Sequence, residues 1–117
     1  MSDPTTTLDE LRHEIRQFVD ARDWRQFHSP KNLSMALAIE AAELMEHFQW
    51  LDPAASRQLG ADQLAAVGEE LADVFCYTLA MANELGIDLS ATMRAKMVKN
   101  IAKYPAAEYR SRFGPED

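Results

Sequence analysis

Residues 33–50, LSMALAIEAAELMEHFQW, carry the pattern from which the fold is read. Leu33, Leu37, Leu44 and Phe48 recur every three or four residues, the spacing of one helix face. Glu40 stands in that stripe where an apolar residue belongs, so it should point at the core rather than at water. Glu43 follows three residues on, about 60° round the helix at ~3.6 residues per turn. The stretch is a core helix carrying charge on its inner side, and Leu51-Asp52-Pro53 stops it.

Working outward, the same period predicts an all-α antiparallel bundle of about four helices. Upstream, Thr7 and Glu10 form a capping box, followed by Leu8, Leu11, Ile15, Phe18 and Val19 at helical spacing. The segment 21–28, ARDWRQFH, loses the period and reads as a connector, and Ser29-Pro30 is an N-cap and first-turn pair opening the second helix. Downstream, 53–61 reads as a loop or short turn. A long helix is predicted over 62–85, ended by Gly86, with Leu64, Val67, Leu71, Val74, Phe75, Thr78 and Leu79 making it the central element. Asp88 or Ser90 caps a fourth helix that turns Met93, Met97 and Ile101 inward and ends at Tyr104-Pro105. The chain reads as one domain over 1–117, with 105–117 as an aperiodic tail, either flexible or lying over a neighbour.

Bulk properties narrow the function classes. A chain of 117 residues with 47% hydrophobic content is a folded globule rather than a disordered one. Helices of this length in so short a chain bury more apolar surface by pairing with a second copy, so subunit pairing is expected to complete the bundle. The net charge of −7 argues against a nucleic-acid duplex as partner. Residues 61–88 hold six acids and no Lys or Arg, whereas 89–117 hold six Lys or Arg against three acids. That split suits a cation followed by a phosphate, or simply complementary solvated faces. The single Cys76 excludes an intrachain disulfide and fits a reducing compartment. In the run VFCYTLAMA it reads as a buried thiol rather than a nucleophile. No apolar stretch reaches transmembrane length, and MSDPTTTLDE is unlike a signal peptide. The cytoplasm is expected, with no membrane partner.

A second acidic pair sharpens the picture. Glu70 and Asp73 repeat the three-residue spacing of Glu40 and Glu43 and border the Val67–Leu71–Val74 surface. Two antiparallel helices would thus bring four carboxylates to one point. Such a cluster is unstable unless some members take up protons or a hard dication sits among them. Mg²⁺ prefers oxygen ligands and bridges to substrate phosphates, which suits phosphoanhydride hydrolysis. Either pair alone is most often a solvated face. A carboxylate-bridged di-iron site wants Glu-x-x-His on two helices, and neither pair supplies it. His47 reads as a packed or helix-end residue, and Glu46 and Glu69 as solvated acids.

With these residues in view, the chain resembles the MazG-like, all-α nucleoside triphosphate pyrophosphatases, most closely their dCTP pyrophosphatase branch. The signature ExxE, spacer, ExxD reads here as Glu40-Ala-Ala-Glu43 and Glu70-Leu-Ala-Asp73, with 26 residues between. RDWRQFHSPKNL, EAAELMEHFQW, EELADVFCY and KMVKNIAKYP extend the match over roughly residues 8–105. The resemblance implies a Mg²⁺-dependent cut between α- and β-phosphates of a nucleoside triphosphate, dCTP or a modified dCTP, releasing monophosphate and pyrophosphate. It implies Glu40, Glu43, Glu70 and Asp73 as metal ligands; a carboxylate of this tetrad, Glu43, is expected to orient or deprotonate the attacking water. It further implies Trp24 and Trp50 at the base, His28 at the nucleotide, Tyr77 near sugar or phosphates, and Lys96 and Asn100 as phosphate or sugar contacts. Family sites are built from paired subunits, so a homodimer or homotetramer is expected. Some members carry a nucleotide-contacting histidine in the first helix where this chain has Ile15, which leaves base selectivity open. Two alternatives stand beside this reading: a non-catalytic helical dimerisation module, and a related pyrophosphohydrolase acting on dUTP or phosphoribosyl-ATP.

Overall fold

Each helix begins and ends where local chemistry dictates. The structure, a computed structural model, describes residues 1–112. The Thr7 hydroxyl accepts the Glu10 backbone N–H at 3.1 Å and opens α1, Leu8–Ala21. The chain then turns at Asp23, whose φ of 52° is left-handed, a conformation Asp tolerates better than most residues with a Cβ. Folded back in this way, Trp24 donates its backbone N–H to the Val19 carbonyl at 3.0 Å, and Gln26 Nε2 donates to the Asp23 carbonyl at 2.9 Å. A 3₁₀ turn, Arg25–Phe27, completes the connector.

Ser29 caps α2, Pro30–Glu46, by accepting the Asn32 N–H at 3.2 Å, with Pro30 in the first turn. Asp52 caps α3, Pro53–Ser56, through the Ala55 N–H at 2.7 Å. The longest helix, α4, spans Ala61–Leu85 and ends at Gly86, whose φ of 64° is the left-handed closure for which glycine is best suited. Asp88 caps α5, Leu89–Lys103, and α6, Ala106–Tyr109, follows Pro105. The four predicted helices are present. The two additional ones, α3 and α6, are single turns, each beginning at or just after a proline. The expected 105–117 tail is helical over 106–109, and its last five residues lie outside the described ones.

The chain divides into two compact units, Met1–Gly86 and Ile87–Asp117. In the first, α1 and α2 both pack on α4, so α4 is the central helix. The core consists of Val19, Leu33, Val67, Leu79, Ala80 and Ala82, with Leu33 and Leu79 only 1% exposed. Burying each leucine contributes about 1.5–3 kcal/mol. Along α2 the predicted stripe holds: Leu33 is buried, and Leu37, Glu40, Leu44 and Phe48 are half-buried.

Other expected core positions are open. On α4, Leu64 is 61% and Leu71 53% exposed. This helix carries apolar residues on more of its circumference than two packed neighbours cover. In the second unit, Met93, Met97 and Ile101 are exposed rather than turned inward, since a helix and one extra turn offer little surface to bury them. Among the described residues no helix is long and apolar enough to cross a membrane.

Candidate active site

The α2–α4 seam brings acids together. Carboxylate oxygens of Glu40, Glu43 and Glu70 lie within 4.8 Å of one another, all three half-buried. One oxygen of Glu40 and one of Glu70 (Oε2 in each) are shut off from solvent with no hydrogen-bond partner. Desolvation first, then the Glu43 carboxylate, with Glu70 and Asp73 behind it, pushes the Glu40 carboxyl from its ordinary 4.5 up to about 7. Near neutral pH the cluster therefore retains a proton or requires a cation. The donor set fits a hard dication: all oxygen, anionic, with two oxygens lacking any protein partner.

Asp73 lies outside that three-residue grouping and is exposed. Its charge is nonetheless felt by Glu40, and it lines a neighbouring cleft of about 470 Å³. The cleft is walled by Glu14, Ile15, Phe18 and Val19 of α1, by Trp24 and His28 of the connector, and by Asp73, Cys76, Tyr77 and Ala80 of α4. On α4 these fall at intervals of three, one and three residues, one face of a helix. On α1 they form the pairs 14/18 and 15/19, each a turn apart. Phe18 meets Trp24 edge-on, ring centres 5.7 Å apart, and the Arg22 guanidinium covers the Phe18 ring at 3.8 Å. The left-handed Asp23 presents Trp24 beside α1, because it returns the chain to the Val19 carbonyl.

A smaller polar pocket of about 110 Å³ shares Ile15, Val19, His28 and Ala80 with the cleft. Its polar wall is tied down. Arg25 Nε lies 3.4 Å from Glu84 Oε1, Arg12 and Arg16 donate to Asn83 Oδ1 at 3.0 and 3.2 Å, and Asn83 Nδ2 donates to the Arg12 carbonyl.

Of the residues singled out from sequence, Glu40, Glu43 and Glu70 converge, and Trp24, His28, Asp73 and Tyr77 share one cleft. Trp50 does not line it and is 88% exposed in the turn after α2. Lys96 and Asn100 lie on α5 in the second unit, where the Asn100 amide is 3.9 Å from Met97 Sδ. His47, at the end of α2, is exposed and outside the carboxylate group, and Glu46 and Glu69 are exposed. Cys76 is exposed rather than buried, because α4 turns it into the cleft. Partial desolvation and then Asp73 raise its thiol above the ordinary range, so it stays protonated and a poor nucleophile. Glu14, Phe18 and Cys76 join the cleft without having been singled out as site residues. The 14/18 spacing on α1 is the signal that pairs Glu14 with Phe18, but only the Asp23 turn reveals that this face is uncovered.

Comparison with known proteins adds a family. The MazG-like family model matches residues 35–112. The chain is similar to the human dCTP pyrophosphatase 1, 40% identical over 110 residues, covering 92% of this chain and 65% of that protein. It is similar to the rat dCTP pyrophosphatase 1 at 39% over 104 residues, covering 87% and 61%. The chain thus spans a little under two thirds of the length of these relatives. Among solved structures, a pyrophosphatase from Archaeoglobus fulgidus superposes with a TM-score of 0.80 at 35% identity, covering 90% of this chain and 98% of that one.

Proposed function

The chain belongs to the MazG-like family, and on that premise we propose that it is a Mg²⁺-dependent nucleoside triphosphate pyrophosphohydrolase, acting on dCTP or a modified dCTP in the nucleotide pool. The observation that carries this reading is the partly orphaned carboxylate cluster, adjoined through Asp73 to an aromatic cleft of a size to take a nucleobase. The relatives named dCTP pyrophosphatase support the choice of substrate.

Glu40, Glu43, Glu70 and Asp73 would hold the cation. When bound, Mg²⁺ supplies neutralisation of the phosphate charge and acidifies a nearby water. Glu43 takes a proton as the water oxygen bonds to the α-phosphorus. The bond from that phosphorus to the α,β-bridging oxygen breaks, and pyrophosphate leaves with the electron pair. The base stacks on Trp24, an interaction of about 1–3 kcal/mol. His28 and Tyr77 bond the nucleotide within the same cleft, and Lys96 and Asn100 meet the phosphates or sugar. Trp50 forms a second wall at the base once subunits pair.

Pairing is part of the proposal, as a homodimer or homotetramer. Leu71 and Phe75 of α4 form an open apolar groove with Leu8 and Leu11 of α1, and Met93, Val98 and Ile101 of α5 are uncovered. A second copy offers the same apolar surfaces in return. A cytoplasmic site of action fits a single cysteine, Cys76, that can form no intrachain disulfide.

The experiment is pyrophosphate release from a panel of nucleoside triphosphates with and without Mg²⁺, using Asp73→Asn as control. Metal-dependent release from dCTP, lost in the variant, is expected. No release from any triphosphate under any divalent metal would return the chain to a helical interaction module, and release from dUTP or phosphoribosyl-ATP alone would reassign the substrate.

A further inference from the structure

We infer that Glu14 is a specificity-determining residue, the acceptor that recognises the exocyclic amino group of a cytosine-type base and disfavours uracil and thymine. The inference rests on the pyrophosphohydrolase reading above and names a residue outside the acidic signature.

Three observations converge on this residue. Glu14 lines the cleft from α1, one turn before Phe18, whose ring packs edge-on against Trp24. A flat base lying along the Phe18–Trp24 wall extends about one helical turn, ~5.4 Å, and so brings an edge to Glu14. The rest of the α1 wall, Ile15, Phe18 and Val19, has no side-chain polar atom, so Glu14 is the group on that side able to read a base edge. Among the described residues its carboxylate has no hydrogen bond or ion pair to occupy it.

Charge sets the orientation of the nucleotide. Asp73 is the cleft residue whose charge is felt by Glu40 of the carboxylate cluster, where a cation can offset phosphate charge. Glu14 is outside that cluster, and a triphosphate beside it would meet only repulsion. The neutral base, rather than the phosphates, therefore lies beside Glu14. An ionised carboxylate only accepts hydrogen bonds. Cytosine presents an N4 amino donor there, whereas uracil and thymine present the O4 acceptor, which the carboxylate repels.

The test compares kcat/KM for dCTP and dUTP by Mg²⁺-dependent pyrophosphate release in the wild type, Glu14→Gln and Glu14→Asp. Wild type should prefer dCTP. Glu14→Gln, whose amide both donates and accepts, should lower the dCTP-to-dUTP ratio about ten-fold, mostly through KM. Glu14→Asp should retain the direction of preference. Glu14 is exposed at the rim, so folding of the variants is expected and is checked by their melting curves. An unchanged ratio in Glu14→Gln, or a wild type preferring dUTP, overturns the role of Glu14 while leaving the hydrolase reading intact. Absence of cleavage of both triphosphates by the wild type overturns both.

Discussion

Helix α4 has two working faces, and they differ in kind. Against α2 it closes a seam in which Leu33 is buried and acids are drawn in beside it. Against α1 it leaves a cleft of about 470 Å³ walled by aromatic and apolar side chains. The first face concentrates charge that protein groups leave unsatisfied, and the second withholds apolar surface from the core. One favours a cation, the other a flat organic group. Asp73 is common to both, lining the cleft while raising the pKa of Glu40.

The contrast predicts different consequences for substitutions on either side. The largest effect belongs to the α2 face. Glu43→Gln should lower kcat for triphosphate hydrolysis by about 10²–10⁴-fold, the range for loss of a general base, with the fold retained by circular dichroism. A turnover close to wild type would remove Glu43 from the chemistry.

Next comes packing. Leu33→Ala in the α2 seam should cost about 2–5 kcal/mol in denaturant unfolding, because it empties a site that is 1% exposed. Val19→Ala beside the cleft should cost less, about 1–2 kcal/mol, since fewer methyl groups leave a more open site. The reverse order would mean that the cleft side, not the seam, holds the unit together.

An effect comparable to that of Val19→Ala lies at the aromatic wall. Trp24→Ala should raise KM for dCTP by about 5–100-fold with a modest change in kcat, the signature of lost stacking. Equal KM values would separate the cleft from the base.

How much of this was legible in the sequence follows the same division. The α2 seam was readable because Glu40 interrupts a helical period of apolar residues, and the second acidic pair repeats its spacing. Caps at Thr7, Ser29 and Gly86 fixed helix ends, and of the two candidates Asp88 and Ser90 the structure uses Asp88, since each cap is a local interaction within four residues. The cleft was not readable as a cleft. Ile15, Phe18 and Val19 have the period of core residues, and of these only Val19 is buried. What places Trp24 on that face is one left-handed residue, Asp23, which aspartate permits without announcing. The outward turn of Met93, Met97 and Ile101 was hidden for a related reason: periodicity defines an apolar face but not what covers it.

A dication bound at the α2–α4 carboxylates is expected to displace the proton they hold. Glu40 is raised from 4.5 to about 7, so the folded state binds more protons than the unfolded state between these values. The sign follows: in metal-free protein, stability should fall as pH rises through that window, because Glu40 must ionise beside Glu43 and Glu70. A bound cation should abolish that loss. The direct measurement is calorimetric titration of Mg²⁺ near pH 6.5 in buffers of different ionisation enthalpy, with Glu40→Gln in parallel. Binding coupled to release of a fraction of a proton, diminishing above pH 7 and absent in Glu40→Gln, is the predicted result. Binding without proton release, or proton release unchanged in Glu40→Gln, would contradict displacement of a proton from Glu40.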